Sequence, residues 1–424
     1  MKTLAEMISD PPNKGFVCIT PETKVTRRDL LSKASKLRES GEAISDPIVS
    51  GADILSAIPR MIALDGFASA LYLAPADLSE EQRARLRDLA RGVTSLQPGA
   101  KTQWVIATSG TSGAPKLVAH NLQSLTHSLK IDRGVGTELR WALLYDPCRF
   151  AGLQVTLQAA VSGSTLLVPE SADVEYCIEF LRCNACTSIS ATPSMWRKVL
   201  STSSVKELRL SHVTLGGEIA DDRILQLLHA TFPQARITHI YASTEAGVGF
   251  SVRDGRAGFP AEYLKTGPSG KVKLRISTNG ILQIHDESFE QEYVGQSQRL
   301  IDRDGFIDTG DLVKLHGDRV FFLGRANGSI NVGGQKVMPE EVESLIRSCP
   351  GVEEARVYSK PSPILGSIVM AEVVAGKNNR SDEVREQLKA MCHMRLEPFK
   401  RPVVIHMVDE IKVSAAGKIR RAGQ

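Results

Sequence analysis

The stretch Thr108-Ser109-Gly110-Thr111-Ser112-Gly113-Ala114-Pro115-Lys116 gathers glycines, hydroxyls and a lysine directly after the strand-like run Trp104-Val105-Ile106-Ala107. These residue types suit the holding of phosphate. The glycines permit positive φ and close backbone approach, so amide N–H groups and hydroxyls can face a polyanion while Lys116 adds charge. The spacing is not that of the common P-loop, G-x-x-x-x-G-K-[ST], in which a hydroxyl follows the lysine to reach magnesium. Gly270-Lys271-Val272 and Gly417-Lys418-Ile419 lack that hydroxyl as well, which disfavours a P-loop kinase. Taken alone, the loop reads equally well as a polar β-to-α turn with a solvated lysine.

Further segments carry chemistry-bearing residues: Tyr241-Ala242-Ser243-Thr244-Glu245, Asp308-Thr309-Gly310-Asp311-Leu312, Gly324-Arg325 leading to Gly333-Gly334-Gln335-Lys336, and Gly417-Lys418-Ile419-Arg420. Singly, each has a plain reading. Glu245 is a loop carboxylate, Tyr241 a core aromatic ending a strand, Asp311 a turn aspartate, and Lys418 part of a solvated basic tail.

Together with the loop, and in this order, these segments resemble the adenylate-forming superfamily of acyl- and aryl-CoA synthetases, nonribosomal adenylation domains and luciferases, from about Thr102 onward. The resemblance implies activation of a carboxylic acid as its acyl-adenylate from ATP, with pyrophosphate released, then transfer to a thiol. The acceptor it implies is CoA, or alternatively the phosphopantetheine of an acyl carrier protein. It places the β- and γ-phosphates on the loop (Thr108, Ser109, Gly110, Thr111, Ser112, Gly113, Lys116), the α-phosphate on Thr244 and Mg2+ on Glu245. It puts adenine against Tyr241, the ribose diol on Asp311, ribose and phosphate near Arg325, and the substrate carboxylate and α-phosphate on a catalytic Lys418. A hinge at Asn327 would swing the small domain between the two steps, bringing up the Gly333-Gly334 face.

Phe150, Gly152, Gly217, Ala246 and Gly247 are candidates to line the acid pocket, with small residues at Ala246, Gly247 and Gly249 leaving room for an aryl or medium acyl group. No aspartate matches the one that pairs with an amino acid's ammonium, unless Asp146 does so, which favours a plain acid. Arg149 stands where many CoA ligases carry histidine or an aromatic. It reads as a tunnel gate, a second-anion contact or a surface arginine. Ala242 and Asn327-Gly328 depart from the usual glycine and acidic pair. The family's region ahead of the phosphate loop is shortened here, and a homodimer is one way to cover the flank this exposes. A homologue that binds nucleotide without catalysis is the competing class, opposed by intact Lys116, Glu245, Asp311 and Lys418.

The elements that position these residues follow from periodicity. Short apolar runs at Ala70–Leu73, Ala142–Tyr145, Thr165–Val168, Val213–Leu215 and Ile237–Ile240 alternate with helical patterns such as Val174, Cys177, Ile178, Leu181 and Ile224, Leu225, Leu227, Leu228. This predicts an α/β large domain, with mostly parallel sheet and covering helices. Alternation about Asn279-Gly280 predicts a hairpin opening a β-rich subdomain. Residues 325–328 form the boundary between a large domain, 1–324, and a small α+β domain, 329–424, with helices starting near Pro339 and Ser381.

The balance of 42% apolar and 24% charged residues is that of a globular chain, and a net charge of +4 with both signs interspersed gives no basic stripe for nucleic acid. Seven scattered cysteines oppose a disulfide framework, and the Cys183-x-x-Cys186 pair lacks a second pair for zinc. No export pattern or run of about 18 apolar residues is present. The expectation is a cytoplasmic protein without a membrane span.

Overall fold

The computed structural model describes residues 2–9, 15–97, 100–108, 116–129, 139–268, 271–286, 292–294, 301–363, 365–376 and 379–411. Ser109, Gly110, Thr111, Ser112, Gly113 and Lys418 lie outside the described residues.

The main sheet has eight strands among the described residues, in the spatial order Gly247–Val252, Arg236–Ser243, His212–Gly216, Ser188–Ala191, Arg140–Leu143, Thr165–Leu167, Val17–Ile19 and Lys24–Thr26. Its interior pairings are parallel, and the two outermost are antiparallel. The expected alternation holds because helices bury apolar stripes against the sheet, two of them in one shared core. Helix Val174–Cys183 buries Cys177, Ile178 and Leu181, and helix Asp222–Thr231 buries Ile224, Leu225 and Leu228. Asp173 and Asp221 cap these helices by accepting backbone N–H bonds in their first turns. Cys186 is buried and donates towards backbone carbonyls, while Cys183 is exposed beside Glu179.

Three readings needed correcting. Ala70–Ala74 does not join the main sheet. It pairs in parallel with Ile48–Ser50 and Gln103–Ala107 in a second, five-stranded sheet. The phosphate-loop candidate is not a β-to-α turn either. Gln103–Ala107 and Leu117–His120 are antiparallel, and Thr108 N donates to Lys116 O at 2.8 Å, so residues 109–115 connect the two arms of a hairpin. Apolar periodicity identifies a strand but carries no information about its partner. The strand expected at Ala142–Tyr145 also ends at Leu143.

A third sheet orders Phe259–Pro260, Arg319–Arg325, Ile307–His316, Ile281–Asp286 and Val272–Ile276, all antiparallel, with Gly280 at φ 76° in the Asn279-Gly280 turn. After it, Ala326–Gly328 makes one 3-10 turn, and a separate core over Ile330 to Ile405 forms the small domain. There the helices Pro339–Arg347 and Ser381–Arg395 cover a sheet of Gln335–Val337, Ile330–Val332, Gly366–Ala375, Val352–Ser362 and Val404–Met407. Among the described residues no helix is long and apolar enough to cross a membrane.

Gly152 shows how tightly the main-sheet loops are held. It lies in the first turn of helix Phe150–Ser162, where an added β-carbon would stand 2.1 Å from the Asp146 carbonyl oxygen. The obstacle is backbone and cannot rotate away. Gly152→Ala should therefore cost about 1–3 kcal/mol of stability, read from denaturant unfolding. A wild-type midpoint would show that the loop 146–149 yields freely.

Candidate active site

In parallel sheets the carboxyl ends of neighbouring strands open onto one crevice, where backbone groups are unpaired by the sheet. Here His212–Gly216 and Arg236–Ser243 run side by side with Gly216 opposite Ile240, so Gly217 and Glu218 emerge next to Tyr241 and Ala242. The chain then reverses in a hairpin turn at Thr244, Glu245 and Ala246, with Ser243 opposite Gly247, and Gly247 takes a φ of 63°. Ala246 N donates to Ser243 Oγ at 2.9 Å and closes that turn. Thr244 and Glu245, each half-buried, thus sit at its apex.

Tyr241 joins two sheets. Its ring stacks with Phe250 at 5.2 Å and with Phe322 at 5.0 Å between centroids, and its hydroxyl donates to Asp311 Oδ2. Asp311 Oδ1 also pairs with Arg325 Nε at 2.7 Å, and Arg325 Nη1 donates to the Thr309 carbonyl at 2.9 Å. Burial, followed by the negative charge of Asp311, raises the Tyr241 hydroxyl well above the ordinary phenol range, so it is a neutral donor. For Arg325, burial opposes the charge, but Asp311 leads a group including Glu245 and Glu340 that more than offsets it, and the net shift is upward. Asp311 thus accepts from the Tyr241 hydroxyl through one carboxylate oxygen and pairs with Arg325 through the other.

The phosphate-loop hairpin is tied to the same place through His120, four residues past Lys116. Its Nε2 lies 2.8 Å from the Thr244 carbonyl, and because a carbonyl only accepts, Nε2 carries the proton. The ring also packs on Phe150 at 5.8 Å. Sequence reasoning did not find this residue. The available signal was its position beside Asn121, whose side chain caps helix Leu122–Thr126. Thr108 is buried and Lys116 half-buried at the mouth of the hairpin.

The proposed pocket residues separate. Phe150 is buried against His120, and Gly217 is exposed with φ 81°. Gly247 is buried at the hairpin. Ala246 lies wholly within the core of the third sheet, so its small size serves packing there. Gly152 is required by the Asp146 carbonyl. Asp146 itself accepts from the backbone N–H groups of Ala76 and Cys148, a structural use of the carboxylate. Arg149 is not a free surface cation: its Nη2 pairs with Asp77 at 2.6 Å. Asn327 occupies the turn between the domains.

His120 makes stability depend on pH. Burial pushes its pKa down to about 4, against an ordinary 6.5. The unfolded chain therefore binds a proton that the folded chain refuses, so stability is full above about pH 6.5 and falls as pH drops through that window. The expected loss from about pH 7 to pH 5 is about 2 kcal/mol, and His120→Gln, which keeps an N–H donor, should remove that increment. Equal pH slopes for the two proteins in denaturant unfolding would contradict this.

The family model described as "AMP-binding enzyme" matches residues 52–287, and "AMP-binding enzyme C-terminal domain" matches 341–418. The chain is 27% identical over 333 residues to a 2-succinylbenzoate–CoA ligase of Listeria monocytogenes, covering 75% of this chain and 68% of the relative. It is 25% identical over 355 residues to the mouse (Mus musculus) mitochondrial acyl-coenzyme A synthetase ACSM1, covering 75% and 60%. In structure it resembles the anthranilate CoA ligase AuaEII in complex with anthranoyl-AMP (TM-score 0.76, 16% identity, 99% and 95% of the two chains). It also resembles ATP-bound MatB from Rhodopseudomonas palustris (TM-score 0.75, 18% identity, 98% and 96%). With the AMP-binding model spanning more than half of its length and the C-terminal model following in order, the chain belongs to the AMP-binding, adenylate-forming enzyme family.

Proposed function

We propose that this protein activates a small acyl or aryl carboxylic acid with ATP and transfers the acyl group to the thiol of CoA. The observation that carries this reading is the convergence of Tyr241, Thr244, Glu245, Asp311 and Arg325 at the carboxyl ends of parallel strands, beside the loop hairpin that His120 anchors. Curated relatives named as CoA ligases and synthetases support the choice of acceptor.

Carboxylate and ATP are both anionic, so the site must neutralise charge where it develops and hold an in-line geometry. A carboxylate oxygen of the acid attacks the α-phosphorus, the bond to the β-phosphate breaks, and pyrophosphate leaves. Asp311, oriented by Tyr241 and Arg325, presents its carboxylate to the ribose diol. Thr244, fixed by His120 through its own carbonyl, is presented to the α-phosphate. Lys116 and the loop receive the leaving phosphates. Glu245, a half-buried hard-oxygen donor, fits a site where the protein supplies one magnesium ligand and the nucleotide supplies others; magnesium, when bound, neutralises phosphate charge. Lys418 bridges carboxylate and α-phosphate in this step. In the second step the thiolate attacks the acyl carbonyl carbon and AMP leaves, with the small domain turned about Asn327.

Acid-dependent exchange of pyrophosphate into ATP, run over short, medium, long-chain, aryl and amino acids, tests the first step. Exchange should appear with one acyl or aryl class, and binding of ATP with no exchange for any acid would favour a non-catalytic nucleotide binder. Lys418→Ala should abolish exchange yet largely spare attack of CoA on supplied acyl-adenylate. Equal loss of both steps would contradict the role given to that lysine.

A further inference from the structure

The two domains share a covalent link of one short turn and no common apolar core among the described residues: the small-domain cluster contains residues of 330–407 alone. Such polar, modest interfaces permit relative motion by default, so whatever holds these domains in register must be polar. The contacts that span the interface gather on one helix and the strand after it, with a separate ion pair from Lys198 to Glu410 at 2.7 Å.

Helix Pro339–Arg347 of the small domain is held at both ends by the large domain. At its carboxyl end, the Arg347 guanidinium lies between Asp221 (Nε to Oδ2, 3.2 Å) and Glu354 (Nη1 to Oε1, 3.3 Å). Arg197 of the large domain contacts the same two carboxylates, Asp221 at 2.7 Å and Glu354 at 3.3 Å. Two arginines and two carboxylates, one of each from either domain, thus close a ring. All four side chains are 9–15% exposed. Glu343, one turn back on the helix, adds a further carboxylate 3.7 Å from Arg347. Arg223 of the large domain then donates to the Arg347 and Cys349 carbonyls. Its cation sits where the helix leaves unpaired carbonyls and partial negative charge. At the amino end, an added β-carbon on Gly324 would stand 2.3 Å from Glu340 Oε2, so that carboxylate packs against the strand carrying Arg325.

The ring borders the site. Asp221 follows Gly217 and Glu218 on the same loop, Glu218 Oε2 accepts from Ser194 N at 3.0 Å, and Ser194 and Arg197 share helix Pro193–Leu200. A shift of helix Pro339–Arg347 would therefore break the ring, withdraw Glu340 from beside Arg325 and alter which small-domain surface faces the crevice.

We propose that Arg197, Asp221, Arg223, Arg347 and Glu354 are a polar latch that fixes the docked orientation of the small domain and so sets how turnover divides between adenylation and thiol transfer. They are positioning residues, acting through the helix. The division of turnover rests on the two-step reading above; the docking does not. Buried ion pairs of this kind are costly to break by removing one partner, because the other charge is stranded. Cutting the ring should therefore be felt sharply at the interface.

Asp221→Asn is the cleanest cut. Asparagine retains the cap on Ile224 N, since its side-chain oxygen still accepts, while the charge shared by the two arginines is lost. Glu354→Gln cuts the ring from the small-domain side. Spin labels on the exposed Cys183 of the large domain and on a cysteine introduced by Met394→Cys, 78% exposed in the small domain, report the interdomain distance directly. The latched protein should give one narrow distance distribution, and each cut should raise an undocked population about tenfold or more. With an acid that supports exchange, each cut should also change the ratio of the two half-reaction rates by a similar factor, with the melting transition retained. A distance distribution that neither cut alters, or proportionate loss of both half-reactions, would overturn the latch. If no acid supports exchange, the distance measurement still decides the docking role while the two-step reading fails on its own.

Discussion

Asp311 stands between a neutral hydroxyl donor and a permanent cation, and the geometry of the site depends on that arrangement. Tyr241 arrives at the end of a main-sheet strand, Asp311 within a long strand of the third sheet, and Arg325 at the last residue before the interdomain turn. Without the carboxylate, the Tyr241 phenol would lose this acceptor and the half-exposed Arg325 guanidinium its counter-charge. With it, two sheets are locked in register through a hydrogen bond and an ion pair, and the stacked rings of Phe250 and Phe322 keep the phenol in line. Preorganisation of this kind matters for phosphoryl chemistry, which requires dipoles and charges already oriented when the transition-state charge forms.

A second tie, from His120 to the Thr244 carbonyl, connects the second sheet to the same crevice. It spans 124 positions of sequence, and its donor is the Nε2 proton of a ring that is kept neutral. Burial enforces that state, since a charged ring in that place would have to be desolvated. The three sheets therefore meet at a point where each contributes a polar group: the loop hairpin from one, the Thr244–Glu245 turn from another, and Asp311 with Arg325 from the third.

Much of this was legible in the sequence because the informative features are local. Glycines and hydroxyls between apolar runs mark a loop, strand-like runs such as Ile237–Ile240 mark sheet strands, and Asn279-Gly280 marks a hairpin. What was not legible is long-range pairing. Nothing in Leu117–His120 indicates an antiparallel partner at Gln103–Ala107 rather than a following helix. Arg149 could not be told from a surface arginine because its partner, Asp77, lies 72 residues away. Ala246 looked like room for a substrate, yet its neighbours in space fill that room. The interdomain ring joins Arg197, Asp221, Arg347 and Glu354, four charges that in sequence look like ordinary solvated residues.

The central claim is that these sequence-distant groups form one centre that attaches AMP to an acid. Rapid quenching of a single turnover with ATP labelled at the α-phosphate tests it most directly. The account predicts that, with the right acid and no thiol, label accumulates as enzyme-bound acyl-AMP and is released as AMP when CoA is added. Label appearing in ADP, or as AMP at a rate indifferent to the acid, would contradict it.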